Sequence, residues 1–351
     1  MHVRNDKNLS CIDKKLIYIC GMKHISILIP NGAVLGSVEG PRQVFTEANK
    51  FITSLGKSDL CNVQLVGLTE QVPVCGGKYT VNADVLTRDV KKTDLIIIPA
   101  IDGDMEKLLE SNKDFYPWIV DQHKEGAEVA SLCVGAFLLA STGLLSGKQC
   151  ATHWMASQDF KKMFPDVKLV EDKIITDEFG LYSSGGAFSY LNLILYIIEK
   201  YAGREVAVFM SKAFQIDIDR RSQSQFIIFN GQKSHEDESI KKAQEFIESN
   251  FHGRIAIDQL ADMFAIGRRS FERRFKKATN NTVVEYMHRV KVEFAKRSFE
   301  SSRKNIHEVM YEVGYSDAKA FREVFKKITK LTPIEYRNKY NKQFAEVELA
   351  N

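Results

Sequence analysis

The sequence has 351 residues, 44% hydrophobic and 27% charged, with a formal net charge of +4 at pH 7. That length exceeds what one hydrophobic core usually serves and points to two domains, of about 200 and about 100 residues. Six cysteines, Cys11, Cys20, Cys61, Cys75, Cys133 and Cys150, form no CxxC pair, which argues against a disulfide framework or structural zinc and fits a reducing cytoplasm.

Residues 1–21 carry charges as far as Lys15 and only a short apolar patch, Leu16 to Cys20, so they lack a signal-peptide core and are expected to be an extension, with Met22 an alternative start. From His24 to about Phe214, short β-branched runs alternate with helical stretches, the pattern of a mostly parallel sheet covered on both faces. The clearest strands are residues 25–29, 63–68, 95–98 and 128–132. The apolar run 191–198 is too short to span a bilayer. Residues 216–238 are rich in Arg, Gln, Ser and charge, with one apolar cluster at 226–229, and are expected to be a linker. Beyond them only helices are expected, in a domain covering 239–340 followed by a tail, 341–351. Charge is uneven along the chain: residues 235–340 hold 22 Lys/Arg against 16 Asp/Glu, while 22–234 hold 22 against 25. A basic C-terminal third suggests a polyanionic partner.

That third contains a repeat. Phe275-Lys276-Lys277 recurs as Phe325-Lys326-Lys327, and Thr282-Val283-Val284-Glu285-Tyr286 as Thr332-Pro333-Ile334-Glu335-Tyr336, both at an offset of 50. Thr282 and Thr332 can cap a helix whose third residue, Glu285 or Glu335, reaches back to the cap. Upstream of each Phe-Lys-Lys lies a short amphipathic helix, with Ile257, Leu260, Ala261 and Phe264 in the first copy and Ile306, Val309, Met310 and Val313 in the second. Each is expected to break near a glycine, Gly267 or Gly314, before a second helix begins: a helix-turn-helix layout. In the first second-helix, Phe271 and Phe275 share one side while Arg269, Arg273, Lys276 and Lys277 lie opposite. In the other, Phe321, Val324, Phe325 and Ile328 pack, leaving Lys319, Arg322, Glu323 and Lys326 outward. Arg and Lys on such a face can pair with guanine edges, and the neighbouring lysines, including Lys277 and Lys327, with phosphates. Glu272 has two readings, acceptor from a cytosine amine or partner of Lys276 one turn on.

Residues 255–340 resemble the AraC/XylS family of regulators. Leu260-Ala261, the run Arg268 to Lys276, Val313-Gly314-Tyr315-Ser316, the run Phe321 to Lys326 and Thr332-Pro333-Ile334-Glu335-Tyr336-Arg337 carry the likeness. It implies two helix-turn-helix units joined by a helix at about 283–299. Base-facing candidates by motif position are Arg269, Glu272 and Arg273, then Ala318, Lys319 and Arg322, with Arg268, Lys276, Lys277, Lys326 and Lys327 completing the expected DNA-binding set. Asn280-Asn281-Thr282-Val283 departs from the family's Gly and Ser/Thr-Pro, so an altered turn is expected there.

In the front domain, the strand at 128–132 runs into the helix-forming stretch Gly135 to Ala140, placing Cys133 on a sharp strand-to-helix turn. A thiol there sits near a helix N-terminus, whose dipole can favour the thiolate, and His153 is a candidate partner. The alternative is a simply buried cysteine. Glu39-Gly40-Pro41, the run Leu132 to Ala140, Gly143-Leu144-Leu145, Ala151-Thr152-His153-Trp154, Ser184-Gly185-Gly186 and Arg220-Arg221-Ser222-Gln223 resemble the ThiJ/PfpI domain of the GlxA subgroup of AraC-type regulators. The resemblance implies a flavodoxin-like, class I glutamine-amidotransferase-like α/β domain at 22–215 and an all-α double helix-turn-helix domain after it. In enzymes of that superfamily an acid before the Gly-Pro pair activates the cysteine; by that spacing the position here is Ser37, with Glu39 two residues later. Pro99-Ala100-Ile101 replaces the glycine pair that supplies backbone donors.

The combination implies a ligand-responsive, sequence-specific DNA-binding regulator, not an enzyme, with Cys133, Val134, His153 and Glu39 as ligand-binding candidates. The expected partners are double-stranded DNA and a small-molecule effector, with RNA polymerase and a second copy of the chain as further candidates, and neither a membrane, a metal nor a cofactor. Two alternatives use Cys133, His153 and Glu39 differently: a cysteine-dependent hydrolase or amidase fused to a DNA-binding domain, and a Cys133 redox sensor.

Overall fold

The structure, a computed structural model of the chain, describes residues 21–341. The expected extension (all but Gly21, and including Cys11 and Cys20) and tail (all but Asn341) lie outside the described residues. The chain divides between Gln223 and Ser224 into two units.

The first unit runs β1 Lys23–Leu28, α1 Leu35–Ser54, β2 Cys61–Gly67, β3 Gln71–Val74, β4 Tyr79–Asn82, β5 Val85–Leu86, β6 Leu95–Ile98, α2 Met105–Ser111, α3 Phe115–Lys124, β7 Glu128–Leu132, α4 Ala136–Ser141, β8 Gln149–Cys150, α5 Ser157–Met163, β9 Lys168–Leu169, β10 Ile175–Asp177, β11 Leu181–Ser184, α6 Tyr190–Ala202 and α7 Arg204–Ala213. Its seven-stranded sheet has the order β10-β11-β7-β6-β1-β2-β5 and is parallel except where β10 meets β11. The expected flavodoxin-like α/β fold is therefore observed. Period-two geometry explains the apolar strands: Leu95 and Ile97 of β6 face one core with Phe45, Leu193 and Ile197, while Ile96 and Ile98 face a second with Phe115, Ile119 and Phe137. With both faces covered, a strand carries a continuous apolar run instead of an alternating one.

The run at 191–198 is the buried heart of α6. Strand β11, Leu-Tyr-Ser-Ser, is fully buried although polar. Its Ser183 hydroxyl accepts from the Ala151 N–H at 2.6 Å and pairs with the Thr176 hydroxyl at 2.5 Å, which removes the penalty of burying it.

The second unit contains α8 Glu238–Ser249, α9 Ile257–Met263, α10 Arg268–Thr279, α11 Val283–Ser301, α12 Ile306–Glu312, α13 Ala318–Thr329 and α14 Pro333–Tyr340. Two cores share α11. Val283, Tyr286 and Val290 enter the first with Leu260, Phe271 and Phe275; Val292, Ala295 and Phe299 enter the second with Val309, Phe321 and Phe325. Phe251 and Phe294 pack against both, their rings stacked at 3.6 Å and 10°.

The segment expected to be a linker is built into both units. Ile216 and Ile218 pack on the first unit's core, and the Gln223 amide donates to the Thr152, Glu171 and Lys173 carbonyls. From Ser224 the chain lies on the second unit, as described below.

Candidate nucleic-acid interface and cysteine elbow

The repeat seen in the sequence is a repeat in space. Thr282 and Thr332 each form the expected capping box with Glu285 and Glu335. One residue beyond the end of each reading helix, Asn280 (φ 56°) and Lys330 (φ 64°) adopt the left-handed conformation and bond to the fourth carbonyl back. The Asn280-Asn281 departure therefore leaves the turn unaltered: asparagine tolerates the left-handed region that a glycine would otherwise fill.

The first break falls near Gly267 as expected, between Met263 and Arg268, but that glycine does not supply the left-handed turn. Gly267 is extended at φ −60° and precedes α10 directly, and the left-handed residue of the first turn is Ala265, φ 51°. Its counterpart in the second copy is Gly314, φ +75°, where a Cβ would lie 2.2 Å from the His252 carbonyl oxygen.

On α10, Phe271 and Phe275 are fully buried, while Arg269, Arg273, Lys276 and Lys277 are exposed. Arg268, also exposed, is drawn back to Asp258 at 2.9 Å and lies 3.7 Å from Glu272. Glu272 thus pairs one turn toward the N-terminus, not with Lys276 as one reading supposed. Arg274 leaves the reading face altogether, forming a two-pronged bond to Asp237 at 2.8 and 2.6 Å, the residue that caps α8. On α13, Lys319, Arg322, Lys326 and Lys327 are exposed and Ala318 is half-buried beside the second core. Asp317 caps this helix through the Lys319 and Ala320 N–H groups.

Sequence reasoning missed what holds the two copies in relation to each other. Lys291, midway along α11, donates to the Val313 carbonyl at 2.8 Å and reaches those of Gly253 and Gly314 at 3.5 Å, so one ammonium joins turns from both copies. Burial lowers its pKa from the usual lysine value. Beside it, His288 Nδ1 and the Tyr315 hydroxyl lie 2.6 Å apart. Burial, and then the Lys291 and Lys327 charges, push the His288 pKa down. A single lysine at helical spacing gives no signal of such a role.

In the first unit, Cys133 sits on the expected elbow, with φ 55° between β7 and the turn that opens α4. Of the two readings of this cysteine the buried one is favoured: burial pushes the Cys133 thiol up to about 11, against the opposing Val134 N–H. The candidate partners are engaged elsewhere. Glu39 makes a two-pronged bond to Arg42, both distances 2.6 Å. Ser37, at the acid position, donates to the Val34 carbonyl and accepts from the Ala100 N–H. His153 is half-buried, its Nδ1 accepting from the Met155 N–H at 3.2 Å, and burial lowers its pKa. Thr152 joins this loop to the elbow instead, donating to the Cys133 carbonyl at 3.0 Å. Val134 is partly buried against the core around Phe137. A separate cavity of about 630 Å³ opens at the other end of β7, lined by His123, Glu128, Asp177, Phe179 and Lys200. Among the described residues no cluster of His, Cys, Asp and Glu could hold a metal ion, and no helix is long and apolar enough to cross a membrane.

A cysteine elbow on a parallel sheet, followed by a duplicated helix-turn-helix, defines the class of two-domain proteins that join a ThiJ/PfpI-type domain to an AraC-type one. The chain belongs to the DJ-1/PfpI family, whose model matches residues 23–200; a helix-turn-helix domain model matches 260–339. It is 25% identical over 199 residues to the HTH-type transcriptional regulator ArgR of Pseudomonas aeruginosa, covering 56% of this chain and 60% of that protein. To the HTH-type transcriptional regulator GbdR of the same species it is 24% identical, covering 58% and 56%. The chain thus spans about 60% or less of the length of these two relatives. A longer match, 21% identical, covers 84% of this chain and 85% of the HTH-type transcriptional regulator CdhR. Among solved structures, a transcriptional regulator candidate from Vibrio parahaemolyticus, 21% identical, covers 55% of this chain and 99% of that one with a TM-score of 0.50, a likeness of fold alone.

Proposed function

We propose that the chain is a sequence-specific DNA-binding transcription regulator whose first domain senses a small-molecule effector. The observation that carries the reading is the duplicated pair α9–α10 and α12–α13 on one linker helix, each presenting an exposed cationic face on its second helix. A helix of that kind enters a major groove. Arg269, Arg273, Lys319 and Arg322 are assigned to base edges, and Lys276, Lys277, Lys326 and Lys327 to phosphates. Arg268 and Glu272, paired with each other, are assigned to orienting the face, and Ala318 to close approach. The names of the three relatives above, each an HTH-type transcriptional regulator, support the same role.

Sensing is assigned to the first domain because its elbow is arranged for binding more than for turnover. A buried neutral thiol, a histidine whose Nδ1 is occupied and a glutamate tied to arginine do not make an activated nucleophile. Turnover of an amide or aldehyde that vanishes in Cys133→Ala would reverse this assignment.

The test is fluorescence anisotropy of the full chain with DNA from upstream of its own gene and with unrelated DNA, over a salt series. Tighter binding to the upstream fragment, weakening steeply with salt, is expected. Equal affinity for every duplex, or none at low salt, ends the reading. A thermal-shift screen then identifies the effector by its stabilisation of the chain.

A further inference from the structure

The residues by which the chain enters the second unit cross both of its helix-turn-helix lobes. Gln225 accepts from the Lys339 ammonium of α14 at 2.7 Å, and that ammonium also lies 5.6 Å from the centre of the Phe226 ring. Two residues further on, the backbone is gripped by α11: Lys296 donates to the Ile227 carbonyl at 2.6 Å, and the Phe229 N–H donates to Glu293 at 3.1 Å. Lys296 and Glu293 pair with each other at 2.8 Å, and their side chains are only 5% and 8% exposed. The Phe229 ring then meets Tyr286 edge-on at 5.1 Å. At Gly231, φ +73°, a Cβ would lie 2.4 Å from the Tyr286 hydroxyl. Gln232 ends the crossing in the first lobe, its carbonyl accepting from Gln244 and its side-chain oxygen from Asn281.

A buried Lys–Glu pair is a costly way to gain stability, because both ions lose their hydration. This pair offsets that loss with main-chain atoms from a segment that belongs to neither core helix. Such an arrangement fixes where the segment lies more than it strengthens either core. Hydrogen bonds to the first lobe, the linker helix and the second lobe then resist any swing of one reader against the other.

We propose that residues 225–232 are a strap that sets the relative attitude of the two readers, so that simultaneous engagement of two grooves depends on the strap being seated. The inference rests on the DNA-binding reading above for its consequence, though not for the strap itself. Gln223, held by three carbonyls of the first unit, is separated from Gln225 by Ser224 alone. A displacement of Gln223 on effector binding would therefore act on the strap at its α14 end.

Two full-chain variants test this. One is Lys296→Met, which removes the central grip; the other is the milder Gln225→Ala/Phe226→Ala pair, which frees the α14 end and leaves the buried ion pair in place. Hydrogen exchange without DNA is read first. The strap predicts exchange faster by about tenfold or more at the Gly253 and Gly314 turns and along the middle of α11 in both variants, with α1–α7 unchanged. Faster exchange confined to residues 224–232 overturns it. Anisotropy with the upstream fragment is read second: a loss of about tenfold or more on that fragment with little change on unrelated DNA supports the strap, and unchanged preference overturns it. If the unaltered chain shows no preference between duplexes, the DNA-binding reading has failed, and hydrogen exchange alone decides the strap. Unfolding of Lys296→Met leaves the decision with the milder pair.

Discussion

The two helix-turn-helix lobes have one frame and two sets of local supports. Thr279 and Thr329 bond to the Phe275 and Phe325 carbonyls in the same way, and Tyr286 and Tyr336 meet those phenylalanines edge-on at 5.3 and 5.5 Å. The second lobe is specified locally: Asn305 and Asp317 cap α12 and α13, and Pro333 opens α14. In the first lobe Ala256 and Gly267 offer no side-chain cap and Val283 stands where the proline would. Its α10 leans on the Arg274–Asp237 pair to α8. Tertiary contacts thus do in one lobe what short-range signals do in the other. The reading faces differ in the opposite sense, with more arginine on the locally weaker lobe.

The largest way to break this comparison is at the turns. Gly314→Ala forces a side chain into the left-handed region and against the His252 backbone, and is expected to cost on the order of 3 kcal/mol by urea unfolding. Gly267→Ala, where a Cβ meets nothing within 4 Å, is expected to be neutral or stabilising by up to about 1 kcal/mol. Equal losses at both positions would show that the turn assignment is wrong.

Next come the faces. Arg273→Ala is expected to lower affinity for the preferred duplex by about 1–3 kcal/mol and to relax choice at one base position. Arg322→Ala is expected to cost less, since its helix offers a half-buried Ala318 beside Lys319. Lys327→Ala should weaken all duplexes alike and reduce the salt slope by about 1. A competition assay across randomised duplexes separates these outcomes, and identical profiles for the three variants would remove the face assignment.

A smaller difference lies in the tyrosines. Tyr286 donates to Glu248 at 2.6 Å and accepts from the fully buried Gln244 at 3.0 Å. Tyr336 donates to the exposed Glu300 and, among the described residues, has no counterpart of Gln244. Tyr286→Phe is expected to cost about 1–2 kcal/mol and Tyr336→Phe about 0.5 kcal/mol. Burial, reinforced by these carboxylates, raises both phenol pKa values above the usual tyrosine value. A raised pKa contributes stability that is complete below the unfolded value of about 10 and is lost as pH rises beyond it. Either variant should therefore show a shallower alkaline decline than the parent, in melts taken across that range.

Much of this was legible in the sequence because it is periodic. A fixed offset of 50 and helical spacing of Phe271, Phe275, Phe321 and Phe325 placed the lobes, and β-branched runs placed β1, β2, β6 and β7. Short strands escaped: β5 is two residues long, and β11 buries the Ser183 hydroxyl against the Ala151 N–H, a partner remote in the chain. The elbow at Cys133 was legible as a turn but not as an environment, since desolvation is set by residues far apart in sequence. Arg268 and Glu272 entered the DNA-binding set through the family resemblance, which does not show Asp258 reaching across from α9. The strap was hidden for the same reason: a polar segment resembles a free linker until Lys296 and Glu293 are seen to hold its backbone.

The smallest expected effect has the most diagnostic sign. Ala265 is exposed and holds φ 51° without being glycine, so the first turn carries about 1–2 kcal/mol of steric cost that the second, at Gly314, avoids. Ala265→Gly removes that cost but adds about 0.5–1 kcal/mol of unfolded-chain entropy to be lost on folding. The balance is a stabilisation of about 0.5 kcal/mol, read as a higher urea midpoint with an unchanged slope. Because residue 265 touches neither reading face, DNA affinity should stay the same. A lower midpoint would mean that the alanine is favoured by packing in the first lobe, and that its turn is more than a less relaxed version of the second.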